Sequence, residues 1–389
     1  MPRQLVILWD YYQHYHLARL AALRSRAALE GWKVIPLAAG QRGASADCHE
    51  ITFADSKGPL YLGGEEDDLH SAVVARRLRL ELDRSCPDAV MLPGYGFRVS
   101  RAALRWCRRN RRGAVMMFES KESDAARSWP REFLKRLVVR QADSVFCGGR
   151  AHADYAARLG TQPDRIFLKY SAVDNGYWRE RAGAARSVRP AGSPPGFLAV
   201  GRFVPKKNFA GLVEAFGQFK TTDPDGWRLV LVGDGPERPA IDAMIDRWHI
   251  RSSVDLPGYG TAEDTAVWLG RSDVFVSPST RGEQWGLVVN EAMAAGLPAI
   301  VSRHCGCAVD LVEDGVSGLL VDPAEPGHLL KAMRRLAGDG ELRLRLGSAG
   351  QRRIDAYSVE EFARQAMAAV ARAIEVARAR PRLEFPILF

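Results

Sequence analysis

Twelve short apolar runs, separated by stretches of helical periodicity, constrain this chain more than any other feature. In the first half they are Leu5–Trp9, Val34–Leu37, Val90–Leu92, Ala114–Phe118, Ser144–Phe146 and Ile166–Leu168. In the second half they are Phe197–Val200, Leu229–Val232, Val254–Leu256, Val274–Ser277, Ala299–Ser302 and Leu319–Val321. Nearly unbroken hydrophobicity ending in a Gly, Pro or Ser turn marks strands covered on both faces, as in parallel sheets flanked by helices. Two sets of six predict an α/β chain: two doubly wound parallel-sheet domains in series, facing a central cleft. The 389 residues suit two or three domains, and 47% hydrophobic with 26% charged residues excludes wholesale disorder.

Arg179–Gly196 carries Gly and Pro, a basic bias and no strand pattern, and predicts a connector. The expected division is residues 1–180, a linker at 181–195, a second domain at 196–356, and a helix and tail at 357–389 that return toward the first domain. Ser358 followed by Glu361 suits a capping box at the start of that last helix.

Charge divides the chain the same way. Residues 1–190 hold 32 Lys and Arg against 21 Asp and Glu, whereas residues 191–389 hold 23 against 25. The basic excess therefore belongs to the first half, which predicts different partners for the two halves. Much of it clusters in Arg105-Trp106-Cys107-Arg108-Arg109-Asn110-Arg111-Arg112, with further cations at Arg131, Lys135, Arg136 and Arg140. A Trp inside an Arg-rich helix end suits an anionic membrane surface, the alternative being a solvated charged face. Nucleic acid is not expected, since no RNA- or DNA-binding motif accompanies the charge.

Six cysteines without a CxxC pair predict no disulfide scaffold, and His304-Cys305-Gly306-Cys307 lacks a second ligand pair at zinc-site spacing. No stretch approaches the roughly 18 apolar residues of a membrane helix, and Met-Pro-Arg-Gln does not open a signal peptide. The expected location is cytoplasmic, with peripheral contact at the inner face of the membrane.

Ligands of open parallel sheets bind beyond the carboxyl ends of the strands, so chemistry is expected there. After Phe197–Val200 comes Gly201-Arg202-Phe203-Val204-Pro205-Lys206-Lys207-Asn208, with a helix expected to start near Asn208 as its cap. Arg202 and Lys207, five apart beside a helix start, suit a diphosphate, although basic loop residues are often only solvated. After Val274–Ser277 comes Pro278-Ser-Thr-Arg-Gly-Glu283-Gln284-Trp285-Gly286-Leu287, and Gly286 opens a helix that Gly296 stops. Glu283 and Glu291 suit vicinal hydroxyls of a polyol, because a carboxylate accepts two such hydrogen bonds. Their alternatives are a solvated loop charge for Glu283 and an Arg salt bridge for Glu291.

The ordered set GRFVPKKN, LVGDGP at Leu231–Pro236 and EQWGLVVNE at Glu283–Glu291 resembles the donor-binding domain of glycosyltransferase family 4, whose fold is GT-B. The resemblance covers about residues 196–356, and the first half fits in architecture. It implies a retaining, metal-independent transferase that moves a hexose-type sugar from a nucleotide diphosphate donor to a glycan or lipid-linked acceptor in envelope polysaccharide or glycoconjugate synthesis. The nucleotide sugar is then a substrate, and no cofactor is expected. Carried over, Arg202 and Lys207 grip the diphosphate, Glu291 holds the ribose, and Glu283 holds the transferred sugar near its reacting carbon. The backbone of Gly286 and Leu287 meets the phosphates, with Gly201 and Trp285 counted among the donor-binding residues. Gly233 and Gly235 form a tight turn at the nucleotide or simply a strand-to-helix turn. No DxD element follows a strand, and Glu65–Asp68 reads as a solvated loop.

On the acceptor side the sequence departs from the family. Trp9-Asp10-Tyr11-Tyr12-Gln13-His14-Tyr15-His16 replaces the usual glycine-rich loop, so His14, Tyr15 and His16 either stack on an acceptor sugar or pack as a cap on the first helix. Glu119-Ser120-Lys121 stands where the family often carries a histidine, which makes Glu119 the candidate for that polar role. The competing readings are a non-hydrolysing nucleotide-sugar epimerase and an inactive nucleotide-sugar or glycan-binding relative. Intact Arg202, Lys207, Glu283 and Glu291 weigh against the inactive relative.

Overall fold

A computed structural model describes residues 2–40, 58–222 and 226–381; Cys48 lies outside them. The first sheet contains β1 (Arg3–Trp9), β2 (Trp32–Ala38), β3 (Leu60–Tyr61), β4 (Ala89–Leu92), β5 (Gly113–Phe118), β6 (Ser144–Cys147) and β7 (Ile166–Phe167). The second contains β8 (Gly196–Val200), β9 (Arg228–Val232), β10 (Val254–Gly258), β11 (Val274–Ser277), β12 (Ala299–Ser302) and β13 (Leu319–Val321). The strand orders are β3-β2-β1-β4-β5-β6-β7 and β10-β9-β8-β11-β12-β13, with every pairing parallel. Each expected run forms a strand. The addition is β3, two exposed edge residues that carry no hydrophobic pattern of their own.

Alternate residues of one strand serve opposite cores. Leu5 and Ile7 pack with the helices His14–Leu29 and Val359–Ala379, while Val6 and Leu8 pack with Ala72–Ser85 and Arg98–Asn110. In the second sheet Phe197 and Ala199 face one core and Leu198 the other. All seven side chains are fully buried, and a large one contributes about 1.5–3 kcal/mol. Two-sided burial explains why the runs show no polar alternation.

The C-terminal helix Val359–Ala379 crosses back onto the first sheet. Ser358 caps it, accepting from the Glu361 amide, and Ser144 Oγ donates to Ala369 O. Gly113 permits the approach, since a Cβ there would lie 3.0 Å from the Ile374 amide nitrogen. The chain passes between domains twice, and the passages touch: Val173 bridges Ser358, and Asn175 Nδ2 donates to Ile354 O at 2.9 Å.

The expected connector is corrected in part. Residues Asn175–Ser187 form a helix, capped by Asp174, so 181–187 are helical and only 188–195 run as a link. The helix packs on Ala262–Arg271, where Gly270 comes so close that a Cβ would lie 2.3 Å from Ala182 O. This helix belongs to the second domain, which therefore starts near Asp174.

In each sheet the order reverses once, between β1 and β4 and between β8 and β11. Crevices open at the carboxyl ends of strands at such points. The segments after β1, β8 and β11 carry most of the candidate site residues; Glu119 follows β5, and Gly233 and Gly235 follow β9.

Candidate active site

The second-domain site is assembled from loops that lock onto one another. Thr280 N donates to Lys206 O at 2.7 Å, and Phe203 N to Asp234 O at 2.7 Å. Asn208 starts the helix Phe209–Lys220 but does not cap it with its side chain: φ is 55°, and Nδ2 donates instead to Pro278 O. The glycines of these loops serve backbone contact. A Cβ on Gly233 would lie 2.0 Å from Gly201 O, and one on Gly235 2.5 Å from Phe203 O. With φ of 139° and 150°, both positions require glycine for the strand-to-helix turns themselves.

Within this frame Lys207 Nζ meets Glu283 Oε2 at 2.7 Å, and Glu283 is 7% exposed. Ser279 Oγ also reaches Oε2, at 3.4 Å. Glu283 is thus a buried, paired carboxylate and not a solvated loop charge. Arg202 is exposed at the lip. Burial and then Asp10 push the Tyr11 phenol pKa up while Arg202 opposes them, which places Arg202 across the cleft from the first-domain loop. Gly286, with φ 96°, starts the helix Leu287–Ala294. Amides of a first helical turn lie ahead of the intrahelical ladder, so those of Leu287 and Val288 are placed to serve an anion.

Glu291, on that helix and 5% exposed, faces first-domain His14. Its Oε1 lies 3.6 Å from His14 Nε2, so the partner is a histidine and not the arginine considered above. His14 also packs edge-on against Trp178 and is not among the described residues that line the first-domain cavity. Trp285 lies in the seam between the domains. Its side chain is 3% exposed and packs on Tyr357 and His152, and Cβ atoms on Gly148 and Gly149 would lie 3.3 and 2.6 Å from its ring. It joins the two domains.

Around Trp285 is a polar contact that the sequence reading missed. The His152 ring accepts from Gly149 N at Nδ1 (3.2 Å) and donates to Gln284 O from Nε2 (2.9 Å), the tautomer this pair of partners requires. Burial holds its pKa below the ordinary value, consistent with a neutral ring. Asp310 accepts from Arg150 N at 3.0 Å and from Tyr357 OH at 2.9 Å. A relay crosses between the domains: Trp285 Nε1 donates to Asn290 Oδ1, Asn290 Nδ2 to Ser171 O, and Ser171 Oγ to Glu119 Oε1, at 2.8, 3.1 and 3.2 Å. The available signal was Gly148-Gly149-Arg150-Ala151-His152, which directly follows a strand.

Glu119 lines a cavity of about 510 Å³ at the reversal point between β1 and β4. Asp10, Tyr11, Tyr15, Tyr95 and Gln284 also line it, and no Lys or Arg is among its described lining residues. Tyr15 stands against buried Arg19, whose guanidinium lies 4.8 Å from the ring. His16 touches the cavity yet also packs as a cap: its ring stacks on Trp9 with centroids 4.8 Å apart, and Nδ1 accepts from Gln13 N. Burial pushes its pKa well below the ordinary value.

The Arg105–Arg112 end is tied into the fold. Trp106 is 6% exposed and donates to Asp83, Arg112 pairs with Asp88, and Arg111 bonds Arg378 O. Trp106 is therefore unavailable to a membrane. Among the described residues no helix is long and apolar enough to cross one.

Residues 184–353 match the family model for glycosyl transferases group 1. A relative, the lipopolysaccharide core biosynthesis glycosyltransferase LpsE of Rhizobium meliloti (strain 1021), is 28% identical over 229 residues, which is 59% of this chain and 62% of that protein. The chain spans less than that share of three further curated relatives. Among solved structures, sucrose-phosphate synthase from Thermosynechococcus elongatus aligns with a TM-score of 0.75 and 20% identity, covering 94% of this chain and 97% of that one. HepE of Anabaena, solved with UDP, aligns with a TM-score of 0.73 and 17% identity, covering 95% and 99%. The architecture is that of GT-B glycosyltransferases, as expected from the sequence.

Proposed function

We propose that this chain transfers a hexose-type sugar from a nucleotide diphosphate donor to a glycan or lipid-linked acceptor, with retention at the anomeric carbon and without a metal ion or cofactor. The observation that carries the reading is the buried Lys207–Glu283 pair, 2.7 Å apart at the reversal point of the second sheet, with Arg202 at the lip and a helix start beside it. The relative LpsE, named for lipopolysaccharide core biosynthesis, supports an envelope-polysaccharide role, and the UDP complex of HepE, a chain of the same fold, supports a nucleotide-containing donor. The reaction is placed in the cytoplasm, against the inner face of a membrane.

Breaking the bond to the donor leaves negative charge on the diphosphate and positive charge on the sugar ring. Lys207, Arg202 and the first-turn amides of Leu287 and Val288 stabilise the former. An incoming diphosphate competes with Glu283 for Lys207, and the released carboxylate then accepts from hydroxyls of the transferred sugar. Glu291 accepts from the ribose beside His14. The relay from Asn290 to Glu119 ties the donor-side helix to the acceptor cavity, where Glu119 orients the attacking hydroxyl. That cavity is aromatic and carries Asp10 and Glu119, with no Lys or Arg among its described lining residues, so the acceptor end entering it is an uncharged polyol. Its phosphate groups, where it has any, stay outside.

Removing one group that stabilises a developing anion costs about 2.7–4 kcal/mol, so Lys207→Ala should lower kcat about 10²–10³-fold. Transfer assayed with the full chain, with the product anomer read by NMR, tests the proposal. Retained configuration with loss in Lys207→Ala is expected; an inverted product or unchanged kcat overturns it.

A further inference from the structure

One first-domain helix exposes what the others bury. In Trp129–Val139 the single buried residue is Val139. Trp129 is 78% exposed, Leu134 62%, Phe133 47% and Leu137 39%. The Trp129 and Phe133 rings stack in this exposed position, with centroids 5.8 Å apart. At about 100° per residue, Trp129, Phe133, Leu137, Pro130 and Leu134 fall within an arc of roughly 140°.

Charge brackets this arc. Exposed Arg136 borders one side, exposed Arg131 the other, and exposed Arg140 stands at the C-terminal end. The helix has one acidic residue, Glu132, and it is turned inward, accepting from Lys135 Nζ at 2.7 Å and Tyr155 OH at 2.8 Å. The exposed residues of the helix are thus large apolar side chains and three arginines, of which Arg136 also donates to Arg158 O, with no carboxylate among them.

We propose that this helix seats on an anionic lipid surface, its apolar side chains entering the headgroup boundary and its arginines meeting lipid phosphates. Charge chooses the occupant: a second copy of the same face would bring arginines against arginines, whereas acidic lipid complements all three. The net basic first half adds longer-range attraction. The helix also stands beside the acceptor cavity, with Lys135 Nζ 5.8 Å from the ring of Tyr95, a cavity-lining residue. Seating would bring that cavity to the membrane, where a lipid-linked acceptor can enter it. This step deepens the membrane part of the proposed function and replaces Arg105–Arg112 as the contact.

Co-sedimentation with sucrose-loaded vesicles tests it, comparing phosphatidylcholine alone with an equal mixture of phosphatidylcholine and phosphatidylglycerol. The full chain should bind the anionic vesicles and leave the neutral ones in the supernatant. Phe133→Ser/Leu134→Ser and Arg131→Glu/Arg136→Glu should each weaken binding about tenfold or more. A chain that ignores anionic vesicles overturns the proposal, as do variants that bind like the parent. So does a dimer by light scattering that dissociates in Phe133→Ser/Leu134→Ser, which would assign the face to a second copy. Thermal shift by nucleotide diphosphates is read on the same samples. Retained shifts confirm folded variants, and their absence in the parent overturns the donor reading independently of vesicle binding.

Discussion

At the scale of single residues, the pairing of Lys207 with Glu283 turns two expected ligands into one device. A buried charge left without its partner costs about 3–5 kcal/mol, so each holds the other in place. Histidines make a second residue-scale claim. Burial depresses the pKa of both His16 and His152, whereas an unfolded imidazole titrates near 6.5. Below that pH the unfolded chain takes up protons that the folded rings refuse, so the stability they contribute is present above about pH 6.5 and is lost as pH falls. The urea midpoint should drop between pH 7.5 and 5.5, and His152→Gln should reduce the drop; equal slopes would contradict this. Arg202, Lys207, Glu283 and Glu291 could be picked out as candidates because charged loop residues and a carboxylate in an otherwise apolar helix stand out after strands. The burial of Trp285 was not legible because its neighbours, Gly148 and Gly149, are more than a hundred residues away in sequence.

At the scale of elements, twelve strands were readable because two-sided burial leaves uninterrupted apolar runs. The two-residue β3 leaves no such trace. Asn175–Ser187 was taken in part for a connector because Gly183 and the nearby prolines suggested a break. Gly183 has nothing within 4 Å of where its Cβ would be, so the helix tolerates it, and Pro190 and Pro194 fall beyond the helix end. The contact of this helix with Ala262–Arg271 depends on Gly270. Gly270→Ala should destabilise by about 1–3 kcal/mol in a urea titration, since the added methyl meets the Ala182 carbonyl; an unchanged midpoint would contradict the packing described. Helical spacing reveals that Trp129–Val139 has an apolar face, but spacing alone does not say whether that face turns inward.

At the scale of the whole molecule, two sheets with one reversal point each bring their crevices together across His152, Trp285 and Asp310. One crevice is polar and cationic, the other aromatic and acidic, and the relay through Asn290 and Ser171 joins them. The uneven charge of the two halves acquires a place in this arrangement. The near-neutral half places Arg202 and Lys207 at the second-sheet crevice, and no Lys or Arg is among the described lining residues of the first-sheet cavity. The central claim is that the second-sheet crevice binds a nucleotide diphosphate through Lys207. Isothermal titration of the ligand-free protein with UDP, GDP, ADP and dTDP tests it most directly. At least one should bind the parent, and Lys207→Ala should bind it at least tenfold more weakly; equal affinity in the two proteins would contradict the account.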